Sequence, residues 1–336
     1  MLLEKIPIVI VNWNEALLLK ECLKPLVAMN SSCKSIGIKA RVLIIDNGSS
    51  DTSFKVINDF VARNESNIQF EAVWKADNLG FVRSNNLGIR RGFEDASVRF
   101  VATLNNDTVV DQDWLCNLYK FAINTKKKDK IGMFASKINV LEVVNKDEVK
   151  FQVSICRTDT PYNHGHSYHQ DGACLDMPRS KADRNKIFCH CHAGSLLSRE
   201  MLEECGMTDE DYFGWYDCPN QGWKARLRGW KARLVPDAKM WHRKSEARHR
   251  PNIRGIVERN RILTILRFMP LDKRPLAIGE YLNQSRRDGT TYEQKLCAIE
   301  EAHKLFRGEY PADPTVRNAV YDTHCLPRVK KSDFNK

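Results

Sequence analysis

The sequence has no apolar run that approaches the roughly 20 residues a helix needs to cross a bilayer. It also has no internal repeat and no low-complexity tract. Its first apolar run, in residues 6–13 (IPIVIVNW), has neither a basic region before it nor a small-residue cleavage site after it. We therefore expect this run to be the first strand of the fold and not a signal peptide.

Regularly paired cysteines are also missing. The 11 cysteines are odd in number and scattered through the chain, unlike the framework of a small secreted domain, so a cytoplasmic location is expected. Cysteine and histidine do cluster in Cys189-His190-Cys191-His192, after His164, His166 and His169. Because Cys-x-Cys lacks the usual two-residue gap and no second spaced pair follows, the sequence favours a loop over residues 158–184 that runs into a strand, and not a zinc site.

Composition describes an ordinary globule with an excess of positive charge. Of the 336 residues, 28% are charged and 42% are apolar, and the formal net charge is +11. This charge favours an anionic partner: nucleic acid, a membrane surface or a phosphorylated substrate. No nucleic-acid-reading helix or aromatic stacking motif is recognisable, so no nucleic acid partner is expected. The Lys and Arg excess from Lys224 to Arg274 instead predicts peripheral contact with an anionic membrane.

Three short apolar runs end in polar turns, in residues 6–13, 41–50 and 99–110. Helical periodicity separates them, and Asn14 and Asp51 are predicted helix caps. This alternation predicts a parallel sheet with helices on both faces. Strands that end in Asp46 and Asp107 would bring both carboxylates to the carboxyl edge of the sheet, where such folds bind ligands. The alternative for residues 105–108 is a turn that caps the next helix.

Four motifs in order make the pattern specific. The motifs are Asn12-Trp13-Asn14, Asp46-Asn47-Gly48-Ser49-Ser50-Asp51, Asn78-Leu79-Gly80-Phe81 with Asn85-Asn86-Leu87-Gly88, and Leu104-Asn105-Asn106-Asp107. Over about residues 5–270 the chain resembles family 2 glycosyltransferases, most closely the rhamnosyltransferase-like branch. The resemblance implies an α/β GT-A fold with a mostly parallel central sheet. It divides the chain into a domain at 1–270, with a nucleotide-sugar half (1–130) and an acceptor half (131–270), and a helical extension with a loose tail at 271–336.

The resemblance also implies a donor site. Asp107 and His242 would hold a divalent cation, Mn²⁺ or Mg²⁺, of which Mn²⁺ suits imidazole better. Nucleotide-sugar contacts would come from the remaining matched positions: Asn12, Asn14, Asp46, Asn78, Arg83, Asn105 and Asn106. The function it implies is inverting transfer of a sugar from dTDP-rhamnose or a UDP-sugar to a glycan or lipid-linked acceptor.

One position departs from the family pattern. Relatives begin a helix with an acidic pair, typically Glu-Asp, whose aspartate is the catalytic base. An ungapped alignment here places Asp217 on the glutamate and Cys218 on the aspartate. Asp217 is the predicted base because it is the only acid at the start of that helix. The alternative is a catalytically altered member that binds nucleotide-sugar or carbohydrate without transferring it.

Overall fold

The computed structural model describes residues 3–64, 67–147, 152–163, 166–170, 173–176, 187–243, 251–283 and 290–326. The strands are β1 (Glu4–Asn12), β2 (Ile38–Asp46), β3 (Gln69–Trp74), β4 (Phe100–Asn105), β5 (Thr108–Val110), β6 (Ile131–Asp147), β7 (Gln152–Asn163), β8 (His166–His169), β9 (Cys174–Asp176), β10 (Gly194–Ser198), β11 (Lys231–Arg243) and β12 (Cys325–Leu326). The helices are α1 (Ala16–Lys34), α2 (Ser53–Asn64), α3 (Phe81–Gly92), α4 (Trp114–Ile123), α5 (Arg199–Cys205), α6 (Asp217–Leu227), α7 (Pro251–Phe268), α8 (Arg274–Asn283), α9 (Tyr292–Leu305) and α10 (Pro314–His324). None of the described helices is long and apolar enough to cross a membrane.

The main sheet has nine strands. Its order is β3-β2-β1-β4-β10-β6-β11-β5, and β7 pairs with β6. The first four are mutually parallel, as the strand and helix alternation predicts, whereas β10 is antiparallel to both of its neighbours. The parallel half therefore brings the ends of β1, β2 and β4 to one edge.

Helices cover both faces of this sheet. Ile6, Ile8 and Ile10 of β1 enter a core cluster with α1 and α4, whereas Val9 enters a second cluster with α3 and α5. Successive side chains of a strand point to opposite faces, so an unbroken apolar strand needs cover on both.

The predicted cap at Asn14 is wrong. Asn14 has a left-handed backbone with φ of 52°, and its Oδ1 accepts a hydrogen bond from Ser50 N, 2.7 Å away. Asp51 accepts from Ala16 N, at the start of α1, and from Ser53 N, at the start of α2. One carboxylate thus accepts a hydrogen bond from one free backbone amide at the start of each of two helices.

The described parts of residues 158–184 contain strands where a loop was predicted. Their described parts belong to β7, β8 and β9, and the β8 strand pairs with β9 and β12 in a second, three-stranded sheet. His164 lies outside the described residues. The loop prediction overlooked the pairing of β7 with β6 and of β8 with β9, and it had no access to the pairing of β8 with β12, far along the chain.

The C-terminal helices pack on the acceptor half. A core cluster joins Trp223 of α6 and Ile262 of α7 to Tyr281 of α8, Ala302 of α9 and Val320 of α10. β12 then pairs with β8. The division of the chain at residue 270 and the loose tail stay predictions, and residues 327–336 at the end of the predicted extension lie outside the described residues.

Candidate active site at the carboxyl edge of the sheet

The ends of β1, β2 and β4 carry a buried hydrogen-bonded network. Asn12 pairs in register with Asp46, and Asn12 Nδ2 donates to Asp46 Oδ2 at 2.9 Å. Asn106 Nδ2 donates to Asn12 Oδ1 at 2.8 Å. Ser49 donates to Asp46 from both its backbone N and its Oγ, at 2.9 and 2.8 Å. The structure therefore brings together three predicted site residues, and Asp46 also holds the turn after β2.

A second network braces the start of α3. Asn47 Nδ2 donates to Asn78 Oδ1 at 2.6 Å, and Asn47 Oδ1 accepts from Leu79 N and Ser84 Oγ, both at 2.9 Å. Sequence reasoning assigned a role to Asn78 but missed Asn47. The signal was present in the Asp-Asn-Gly motif, where Asn47 was interpreted only as a turn residue. This network fixes the path from β2 to α3.

Asp107 and His242 meet at the same edge. Strand β11 runs antiparallel to β5, with His242 opposite Thr108, and His242 Nε2 lies 3.0 Å from Asp107 Oδ1. Arg243 Nε lies 4.0 Å from Asp107 Oδ2. Burial raises the pKa of Asp107, but the charges of His242 and Arg243 outweigh it, so the pKa lies below its ordinary value. The carboxylate is therefore ionised at neutral pH.

The atoms beside Asp107 fit a divalent cation. Asn105 Nδ2 lies 3.3 Å from His242 Nε2, and Asn105 Oδ1 is buried and accepts no hydrogen bond from any described residue. A buried acceptor without a partner is destabilising and uncommon in folded proteins. A carboxylate, an imidazole and an amide oxygen form a donor set that suits Mn²⁺.

Arg83 lies apart from these networks. Its side chain is half exposed, and its Nε is 3.8 Å from Glu210 Oε2, which also pairs with Arg90. Within the described residues, the structure thus places Arg83 against the segment that leads into α6 and not against the strand ends.

The turn before α6 has an unusual backbone. Phe213, Trp215 and Tyr216 have φ of 55°, 58° and 59°, a region that bulky residues rarely adopt. Asn260 of α7 holds this turn: its Nδ2 lies 2.8, 2.7 and 3.0 Å from the carbonyl oxygens of Tyr212, Gly214 and Trp215. Sequence reasoning gave Asn260 no role.

The aromatic turn contacts the start of α3. Val82 N donates to Phe213 O at 3.0 Å. A Cβ atom on Gly80 would lie only 2.5 Å from Phe213 Cδ2. The nucleotide-sugar half and the acceptor half therefore meet at Gly80, where a side chain would not fit.

Asp217 is the first residue of α6 and is 8% exposed. Its Oδ2 lies 3.9 Å from His192 Nε2. The next residue, Ala193, accepts a hydrogen bond from Asn105 N at 3.0 Å. His192 and Ala193 thus connect the predicted base, Asp217, to the end of β4, beside the predicted metal ligands. Sequence reasoning missed this role of His192.

The neighbours of Asp217 are uncharged. Burial lowers the pKa of His192, and the charge of Asp217 only partly opposes this. Burial also raises the pKa of Cys218 well above its ordinary value. Because Cys218 is a thiol at neutral pH, it does not replace the missing carboxylate as a base.

Many of the basic residues from Lys224 to Arg274, on which the predicted membrane contact rests, are buried. Those from Lys224 onward that are at most 8% exposed are Lys224, Arg226, Arg261, Arg267 and Arg274. Lys224 and Arg267 both pair with Asp209, at 2.8 and 3.1 Å. Their charge stabilises the protein interior, so the excess counted in the sequence overstates the positive charge at this surface.

Comparison with known proteins identifies the family. The model of glycosyl transferase family 2 matches residues 8–206, well over half of the chain. No curated protein sequence matches.

Solved structures share the fold at low sequence identity. Mannosyltransferase PcManGT from Pyrobaculum calidifontis, in complex with GDP-Man and Mn²⁺, has 13% identity and a TM-score of 0.50, over 96% of this chain and 76% of the other. GalNAc-T7 with UDP, GalNAc and Mn²⁺ has 14% identity and a TM-score of 0.55, over 93% and 59%. S. aureus TarS has 13% identity and a TM-score of 0.50, over 84% and 44%. The GT-A fold expected from the sequence is thereby confirmed, and the chain belongs to glycosyl transferase family 2.

Proposed function

We propose that this glycosyltransferase is an inverting, metal-dependent enzyme that moves a sugar from a nucleotide diphosphate to a glycan or lipid-linked acceptor. One observation carries the metal dependence: the side chains of Asp107, His242 and Asn105 converge beside the Asn12–Asp46 network at the strand ends. Two structures of the same fold contain Mn²⁺ with GDP-Man or with UDP and GalNAc, which supports this assignment. The motifs favour dTDP-rhamnose as donor, with UDP-sugars next.

The residues have distinct roles in this proposal. Asp107 and His242 hold the cation, and the side-chain amide of Asn105 lies against His242. A bound divalent cation would stabilise the negative charge that grows on the diphosphate as the sugar leaves. Asn12, Asp46 and Asn106 fix the turn beside the nucleotide, while Asn14 and Asn78 brace the flanking turns. Arg83, between the donor edge and the acceptor segment, is a candidate phosphate partner.

Proton transfer falls to Asp217. The acceptor hydroxyl must lose its proton as it attacks C1 of the sugar, and a positioned carboxylate is the usual base for a single displacement. His192 supports Asp217 as a neutral neighbour 3.9 Å away. With no second acid at the start of α6, Asp217 alone must act as the base.

Calorimetry tests the metal assignment. Nucleoside diphosphate is titrated into wild type, Asp107→Ala and Asp59→Ala, each with Mn²⁺ and with chelator. Asp59 is a control because it lies on α2 in an exposed pair with Lys55. We expect chelator to weaken binding to wild type and Asp59→Ala, and Asp107→Ala to bind weakly in both conditions. Equal affinity in all six titrations would disprove the assignment.

The second candidate function is binding without transfer. The thiol at Cys218, where relatives have the catalytic aspartate, favours it. Hydrolysis and transfer across a panel of dTDP- and UDP-sugars with Mn²⁺ separates the two functions. A donor that binds but is neither hydrolysed nor transferred would favour the binding function. The cytoplasmic location and the peripheral membrane contact stay predictions from composition.

A further inference from the structure

A group of sulfur and nitrogen ligands lies beside the predicted base, in the acceptor half. It comprises His166 at the start of β8, Cys191 just before β10 and Cys218 in the first turn of α6. One ligand atom from each residue lies within 4.8 Å of the other two. Three separate segments of the chain thus bring side chains of metal-binding types together.

A second group adjoins the first and shares one member. His192, Asp217 and Cys218 also have ligand atoms within 4.8 Å of one another. Cys218, Asp217 and His192 are all at most 8% exposed. Ordinary packing does not require two overlapping sets of ligands, because a buried cysteine on its own behaves as a small apolar residue.

The surrounding backbone holds these ligands in place. His166 N donates to Cys189 O at 3.0 Å, and Phe188 N donates to His166 O at 2.7 Å, so residues 187–191 are fixed against β8. His192 N lies 3.3 Å from Cys218 Sγ and donates to it. A bound Zn²⁺ would displace the proton of the Cys218 thiol, because a coordinating thiol is deprotonated.

The adjacent histidines form a pair. His190 Nε2 lies 3.3 Å from His192 Nδ1. Such a contact fixes the orientation of the His192 ring and leaves His192 Nε2 on the side of Asp217 and Cys218.

We propose that His166, Cys191 and Cys218 bind one Zn²⁺ ion, beside the adjoining pair of His192 and Asp217. Two thiolates and imidazole are characteristic zinc ligands and a poor set for Mn²⁺ or Mg²⁺. The site is therefore chemically distinct from Asp107, His242 and Asn105. It would tie β8 and residues 187–192 to the start of α6, and so fix the position of Asp217. Asp217 itself remains outside the ligand set.

The spacing argument from the sequence missed this arrangement. It asked for a second closely spaced cysteine pair after Cys191, whereas the further ligands come from β8 and α6. A zinc site assembled from separate elements leaves no spacing signature.

Metal analysis of the wild-type protein tests the proposal without any assay of transfer. The full chain is expressed with zinc and its metal content is measured. It is then stripped with chelator and titrated with Co²⁺ as a spectroscopic substitute. We expect one Zn²⁺ per chain, and for Co²⁺ a thiolate charge-transfer band with strong visible absorption of a tetrahedral site. The Asp107 site has no sulfur and gives no such band.

Variants locate the site. Cys191→Ser and Cys218→Ser should lose the charge-transfer band. Cys297→Ser, which removes an exposed cysteine of α9, should keep it, and so should Asp107→Ala. Wild type without zinc and without the band would overturn the proposal even if a variant fails to fold. A disulfide between Cys191 and Cys218 in the non-reduced protein would also overturn it. Because no transfer is measured, these results do not depend on whether the proposed activity is correct.

Discussion

The carboxyl edge of the parallel strands and the aromatic turn before α6 are held in place by different kinds of contact. At the edge, side chains that directly follow β1, β2 and β4 bond to one another, as Asn12 does to Asp46 and Asn106. At the turn, the side chain of Asn260 holds residues 213–216, three of which have a left-handed backbone that is unfavourable for bulky residues. The edge therefore depends on where the parallel strands end, whereas the turn depends on one side chain of α7.

This difference has an energetic consequence. Loss of one bond at the edge leaves neighbouring amides and hydroxyls that can form replacements. Loss of the Asn260 amide would leave buried carbonyl groups unpaired, at about 1–3 kcal/mol for each unsatisfied group, and would release a backbone that is strained by itself. We therefore expect the acceptor side to be the more sensitive to single substitutions.

The largest expected effect comes from Asp217→Asn. It should keep donor affinity, because the donor edge is untouched, and lower single-turnover transfer by about 10²- to 10⁴-fold, the usual contribution of a general base. Single-turnover transfer and nucleotide affinity are measured with the same preparation, once a donor is known. Glu210→Gln is a matched control on the same side of the turn, since Glu210 is a half-exposed acid. Transfer at the wild-type rate in Asp217→Asn would place the base elsewhere.

A smaller effect is expected at Asp209, a half-buried carboxylate that precedes the turn and pairs with two basic residues. Asp209 accepts hydrogen bonds from Lys224, Arg267 and Asn220. Burial acts to raise the pKa of Asp209, but Lys224, Asn220 and Arg267 outweigh it and hold the pKa below its ordinary value. This interaction stabilises the protein above the unfolded-state pKa, about 3.9, and is lost as pH falls through the lower folded-state pKa.

Asp209→Asn should therefore lower the free energy of unfolding by about 2–3 kcal/mol at pH 7, since Lys224 and Arg267 lose a charged partner. The difference from wild type should shrink below about pH 4. Urea unfolding at several pH values measures it. Asp59→Asn, in an exposed pair, should change stability little at any pH. A deficit in Asp209→Asn that does not depend on pH would contradict the electrostatic explanation.

The smallest expected effect is the difference in stability between two alanine variants, Gly80→Ala and Gly37→Ala, and it tests the contact of Gly80 with Phe213. Gly80 and Gly37 have similar left-handed φ, 85° and 83°, but a Cβ on Gly37 would meet no atom within 4 Å. Both alanine variants should lose about 1 kcal/mol to backbone strain. Gly80→Ala should lose about 1–2 kcal/mol more, because its Cβ would collide with Phe213. Denaturant unfolding of the two variants gives the difference directly, and equal losses would show that Phe213 moves away freely.

The sequence predicted which side chains meet at the strand ends better than it predicted the other contacts. Asp107 and His242 were expected to share a site, and their side chains lie 3.0 Å apart. By contrast, the capping role of Asn14 was wrong, Arg83 pairs with Glu210, and Asn260 had no assigned role. Residues 158–184 were expected to be a loop, although their described parts form strands.

What the sequence by itself determined is the parallel half of the sheet and the residues at its edge. Short unbroken apolar runs fold as buried strands, and parallel strands end on one side, so the residues at the end of each strand have a known position. Only the tertiary structure decided how Asn260 meets residues 213–216 and how His166, Cys191 and Cys218 converge. These contacts join segments with no common periodicity, and their geometry follows from the packing of α6 and α7 against β8.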